Sequence, residues 1–194
     1  AGVFRRFRHC TGLQWGVVYD YLRDDYYTEA SLSQVRGEIS FRGPKQIELG
    51  VWASANVGDD SVLNNFVYQV TATNFGTWET VDQYNLFVRF TSCTGNDMRI
   101  WGGVTGESDG IVGGDFRLPF NDRFAIVGIG NYIIPEEGAN QIGAREENWG
   151  LGLNLVWYPG RSAQTASCSR WRPLFNVANN ATMVPMLTDS AVSP

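Results

Sequence analysis

The sequence predicts an all-β protein, a closed up-and-down antiparallel β-barrel of about eight strands with an irregular C-terminal tail. Three observations carry this. Apolar and polar residues alternate with period two in stretch after stretch, the signature of half-buried strands. Between those stretches, tight turns alternate with long connections, as in a meander whose successive loops fall at opposite ends. No apolar run approaches the ~20 residues of a membrane-spanning helix.

The strands follow in chain order. GLQWGVVYDYL sets Leu13, Trp15, Val17, Tyr19 and Tyr21 against Gln14, Gly16 and Asp20. SLSQVRGEISFR sets Val35, Ile39 and Phe41 against Gln34, Arg36 and Glu38. After the turn RGPK, QIELGVWASAN sets Ile47, Leu49, Val51 and Ala53 against Glu48, Gly50 and Ser54. QYNLFVRFT opposes Tyr84, Leu86, Val88 and Phe90 to Asn85 and Arg89. DMRIWGGVT, GIVGGDFRLPF and RFAIVGIGNYII continue the series less cleanly, and around Val127 and Ile129 both faces are apolar. NWGLGLNLVWY closes the set, with Trp149, Leu151, Leu153, Leu155 and Trp157 on one face. The barrel is thus expected over residues 12–158, between an N-terminal segment 1–11 and a tail 159–194.

RGPKQ, SCTGND and PFNDR are the tight connections; RDDYYTEA, the stretch 57–82 and PEEGANQIGAREE are long, and TGESDG is a short member of the second class. Acidic residues such as Asp24, Asp25, Asp59, Asp60, Glu136 and Glu146 gather at the long-loop end. Arg5, Arg6, Arg8, Arg42, Lys45, Arg161, Arg170 and Arg172 gather at the other. Lys45 is the only lysine, although a soluble β-protein normally spends lysines on its sheet edges. The formal charge of −5 and the missing basic stripe argue against a nucleic-acid partner.

Alternation has no sign, so volume must decide which face is inside. The interior of eight strands barely holds its own side chains, and the rings of the apolar face would overfill it. The other face offers Gly12, Gly16, Gly50, Gly103, Gly113, Gly150 and Gly152 as space beside long charged neighbours. It also carries both signs: Asp20, Glu38, Glu48, Asp97 and Asp115 with Arg36, Arg89, Arg99, Arg117 and Arg123. Buried charge is costly unless paired, and the balance of signs permits pairing. The expectation is an apolar face turned outward to lipid around a plugged, salt-bridged lumen.

With this pattern the chain resembles the small eight-stranded bacterial outer-membrane β-barrels, the class of the OmpA transmembrane domain and OmpX. The resemblance spans Gly12 to Tyr158 and rests on pattern and topology. It implies a transmembrane barrel in the bacterial outer membrane, with outer-membrane lipid around it. Its expected role is structural, anchoring the envelope or forming the membrane part of a surface assembly. The alternatives are a soluble lipocalin-like ligand-binding barrel and a narrow porin-like channel. Such barrels commonly end on a terminal aromatic, whereas here the tail follows Trp157 and Tyr158.

Cys10, Cys93 and Cys168 all map to the short-turn end. Adjacency of the first and last strands favours a Cys10–Cys168 disulfide, with Cys93–Cys168 the alternative if the tail crosses the barrel mouth. The sole histidine, His9, lies at the end opposite to the outer rim, where barrel hydrolases keep their general base. The chain is therefore expected to be no enzyme and to carry no cofactor. The acidic loops are candidates for diffuse divalent-cation binding through carboxylate oxygens. Phe66, Tyr68 and Trp78, in a hairpin expected to protrude, and Trp171 and Phe175 in the tail are candidate contacts for envelope or surface-assembly proteins. The tail is expected to be an irregular segment lying against the barrel end or a partner. AGVFRRFRHC has no apolar leader core, which fits a processed form and a leaderless one equally.

Overall fold

The computed structural model of the protein describes residues 1–7, 11–25, 30–58, 60–63, 75–135, 148–176 and 181–189. Its strands are β1 (Gly2–Arg5), β2 (Gly12–Asp24), β3 (Ala30–Arg42), β4 (Ile47–Gly58), β5 (Asp60–Leu63), β6 (Phe75–Thr80), β7 (Gln83–Thr91), β8 (Asp97–Thr105), β9 (Gly110–Pro119), β10 (Phe124–Ile134), β11 (Asn148–Trp157) and β12 (Pro185–Asp189). Among the described residues the only helical element is a 3₁₀ turn at Ala166–Cys168. The eight expected strands are all present, as β2, β3, β4 and β7 to β11. They pair antiparallel in one nine-stranded sheet of order β1-β2-β3-β4-β7-β8-β9-β10-β11.

That sheet curls strongly into a half-barrel and does not close, which corrects the expected closed barrel. The reason lies at the N-terminus. Instead of leaving β2 free for β11, residues 2–5 form β1 and pair with it from Gly2 opposite Val18 to Arg5 opposite Trp15. The edge that would meet β11 is thereby occupied along its middle.

Side-chain parity follows the alternation read from the sequence. On β2, Gln14, Val18 and Asp20 are buried on the concave side while Leu13, Trp15, Val17, Tyr19 and Tyr21 are exposed on the convex side. The same division holds on β3, β4 and β7, where Arg36, Glu38, Glu48 and Arg89 point in and Ile39, Leu49, Leu86 and Phe90 point out. On β10, where sequence parity was ambiguous, Ala125, Ile129 and Ile133 are buried and Ile126 is exposed. The convex surface is therefore the apolar one.

The tail does not rest against one end; it threads the concave side from end to end. At the short-turn end, Ala163 donates its N–H to the Asp122 carbonyl at 2.9 Å. The turn of Gly95 presses so close that a Cβ there would stand 2.0 Å from the Gln164 carbonyl oxygen, and its φ of +84° favours glycine as well. Midway, Leu174 and Phe175 join Val18, Trp52, Phe87, Trp101 and Ile129 in the main apolar cluster. Beyond, Val81 donates to the Val184 carbonyl at 2.9 Å. β12 then pairs with β6 in a three-stranded sheet of order β12-β6-β5. Among the described residues no helix is long and apolar enough to cross a membrane.

Candidate functional site

The concave interior holds an assembly of charged side chains that the sheet itself builds. Period two brings the charges together: β2, β3, β4, β7, β8 and β9 each send alternate residues into the same space. At its long-loop side Arg36 forms a two-point ion pair with Asp20, through Nη2 at 3.0 Å and through Nε. Gln34 Nε2 also donates to Asp20, at 3.2 Å. In the middle, Arg89 Nη1 reaches Glu48 Oε1 at 2.7 Å and Glu38 Oε1 at 3.3 Å. Arg99 donates to the other Glu38 oxygen at 3.0 Å and to Asp115 Oδ2 at 2.7 Å. Glu38 thus bridges two arginines, and Ser40 donates a further hydrogen bond to Glu48 at 2.8 Å. Bidentate, multiply bonded pairs of this sort are what make buried charge tolerable.

Aromatic rings pack among the charges. Trp52 and Trp101 meet edge to face at 5.8 Å between centroids. The Arg99 guanidinium stands 5.0 Å from the Trp101 ring, 5.5 Å from Phe87 and 5.9 Å from Phe175. The glycines supply the room: a Cβ at Gly113 would lie 2.5 Å from the Trp101 ring. The tail completes the interior. Thr182 accepts from Arg36 Nη1 at 3.1 Å, its carbonyl accepts from Gln83 Nε2 at 2.8 Å, and the Phe175 ring lies 4.7 Å beneath Arg36.

At the short-turn side Arg172 of the tail donates to Asp97 at 2.8 Å, and Arg89 Nε lies 3.6 Å from the same carboxylate. Arg117 donates to the Tyr158 hydroxyl at 3.2 Å, to the Gly95 carbonyl at 2.8 Å and to the Ala163 carbonyl. Arg6, just after β1, donates to the Arg172 and Pro173 carbonyls at 3.0 and 3.3 Å. This arrangement can hold charge and hold the tail. Among the described residues it holds no group of three His, Cys, Asp or Glu side chains placed for a metal ion.

A protein-family model matches residues 1–185, which spans the curled sheet, the charged interior and the threaded tail as far as the first residue of β12. The chain belongs to the DUF6666 family. It is described as a family of unknown function. No curated protein and no solved structure matches the chain.

In this DUF6666 chain, nine of the ten residues expected to form the internal charge network face the interior: Asp20, Arg36, Glu38, Glu48, Arg89, Asp97, Arg99, Asp115 and Arg117. Arg123 does not. It is exposed in the turn between β9 and β10, because β10 begins one residue later, at Phe124. Arg6 and Arg172, expected only as members of a basic end, enter the network instead.

Neither expected disulfide is formed. Cys93 and Cys168 are free, exposed thiols, and the strand adjacency that favoured pairing Cys168 with Cys10 is absent from an open sheet. Gln46 Nε2 donates to the Cys93 sulfur at 3.0 Å. Cys10 and His9 lie outside the described residues, as do Phe66, Tyr68, Glu136 and Glu146. Of the expected contact residues, Trp78 is half-buried in β6, Trp171 is 74% exposed, and Phe175, only 2% exposed, belongs to the interior and not to a partner surface.

Proposed function

We propose that the chain is an outer-membrane β-barrel protein with a plugged, salt-bridged lumen. On this reading it has a structural, non-enzymatic role, anchoring the bacterial envelope or forming the membrane part of a surface assembly. One observation carries the reading: the sheet turns its apolar side outward and its charged side inward, the reverse of a water-soluble barrel. Leu13, Leu49, Leu86, Leu151 and Leu155 are all more than half exposed on the convex face. Contiguous apolar surface on that scale signals an apolar surrounding or partner. Exposed aromatics lie toward the strand ends, with Trp149 and Trp157 at the two ends of β11 and Phe120 stacked on Phe124 beside Trp157. That placement suits the interfacial girdles of membrane barrels.

A lipocalin-like barrel would need its apolar face inside around a ligand. A porin-like channel would need an open path where Phe175, Thr182 and the ion pairs stand. In lipid every backbone N–H and C=O needs a partner. The reading therefore requires the free edges of β1 and β11 to pair with one another or with a neighbouring chain. Contacts to envelope proteins fall to the long-loop end and to the exposed Trp171.

The test is to refold the chain with and without non-ionic detergent. Circular dichroism follows β-structure, and boiled and unboiled samples are compared on a denaturing gel. Folding only with detergent, as a compact heat-modifiable species, is the expected result. Folding in plain buffer overturns the membrane reading.

A further inference from the structure

Four of the interior arginines have carboxylate partners: Arg36, Arg89, Arg99 and Arg172. Arg6 and Arg117 have none; they donate only to backbone carbonyls and, in the case of Arg117, the Tyr158 hydroxyl. A carbonyl satisfies a donor but leaves the charge without a counter-charge. Burial, with Arg89 and Arg172 close by, lowers the Arg6 guanidinium from its ordinary value to about 10, although Glu48 and Asp97 pull the other way. These six arginines face the five carboxylates of the network, and Arg42, buried on the same side of β3 over the Phe7 ring, adds a seventh, so positive charge is in excess.

Arg6 and Arg117 line the same cavity of about 600 Å³, within the range of small-molecule sites. The two carboxylates on its wall, Asp97 and Asp115, are already engaged by arginines. Its other wall is apolar, built from Val127, Ile129, Val156 and Leu174. It also joins the two edges of the open sheet. Arg6 follows β1 directly, while Val156 and Tyr158 lie at the end of β11.

We propose that this cavity binds an amphiphile with one monoanionic head, a carboxylate or phosphodiester. The head is held by Arg6 and Arg117, and the apolar chain runs along Val127, Ile129 and Val156 toward the gap between β1 and β11. Such a head gives Arg6 and Arg117 the counter-charge that backbone carbonyls do not supply, and the apolar wall favours a lipid-derived ligand over a small free anion. The proposal does not rest on the membrane reading, because the site can be titrated in whichever solvent folds the chain.

The experiment is isothermal titration of the full chain with octanoate, with acetate and with octanol. Octanoate is expected to saturate one site and to bind about tenfold or more tighter than acetate or octanol, a factor worth about 1.4 kcal/mol. Arg6→Gln is expected to weaken octanoate about tenfold, while Arg6→Lys stays within about threefold of the parent. Circular dichroism on both variants confirms that the sheet is intact. Arg6 is suited to this test because it lies outside the strands and bonds only to two carbonyls. Absence of saturable octanoate binding, or octanol binding equal to octanoate, overturns the proposal. So does an Arg6→Gln variant that binds like the parent. Acetate binding as tightly as octanoate overturns the lipid source.

Discussion

Glu38 ties two strands of the interior together, since one oxygen meets Arg89 of β7 and the other Arg99 of β8. Its side chain is fully buried, so neutralising it leaves two desolvated guanidinium groups with a weakened partner. Glu38→Gln should therefore lower stability by about 3 kcal/mol, in the range for breaking a buried pair. The exposed pair of Arg23 and Asp25 provides the contrast: Asp25→Asn should cost less than about 1 kcal/mol. Urea midpoints of the two variants check both values, and equal midpoints would show that the interior network does not bear on stability. Asp20, Arg36, Glu38 and Glu48 were legible in the sequence because they sit in clean alternating runs, where period two leaves no choice of side. Arg123 was misplaced because it lies at a strand boundary, where one residue separates a turn from a pleat. Arg6 and Arg172 were not legible as interior residues, since no strand period orients them.

The tail is the element whose path the sequence concealed. Trp171, Leu174, Phe175, Val184 and Met186 have no regular spacing, because a segment threading a curved sheet meets whatever its neighbours offer and follows no repeat of its own. In the structure Phe175 fills the space between Arg36 and Arg99 and packs in the main apolar cluster. Phe175→Ala should cost about 3–5 kcal/mol, the loss of a buried ring together with the cavity it leaves. Trp171→Ala, on an exposed side chain, should change stability by less than about 0.5 kcal/mol. Denaturant titration of the pair separates a tail that is built into the fold from one merely lying on it. β1 was equally hidden: four residues of edge strand are too few to show a period, yet they decide that β2 and β11 do not pair.

At the scale of the whole molecule, the sign of the sheet is its most informative property. The sequence showed two faces on every strand; crowding of rings on one and glycines beside charges on the other pointed to which was inside, and the structure has that orientation. The strongest expression of it is β11, where Trp149, Leu151, Leu153, Leu155 and Trp157 all stand more than 60% exposed. Leu153, at 72% exposure, sits in the middle of that strand. In water, replacing so exposed a leucine by a charged residue changes stability by no more than about 0.5 kcal/mol, because nothing packed is lost. In a bilayer the same residue lies near the midplane, where an arginine on the lipid face of a barrel costs about 2–4 kcal/mol. Leu153→Arg should therefore destabilise the chain folded in lipid vesicles by that amount. Arginine in place of Tyr21 or Trp157, near the strand ends, should cost about 0–1 kcal/mol. Equilibrium unfolding from phosphatidylcholine vesicles measures the difference. A depth-dependent penalty means that the convex face meets lipid, whereas a flat response across the three positions means that it meets water or a protein.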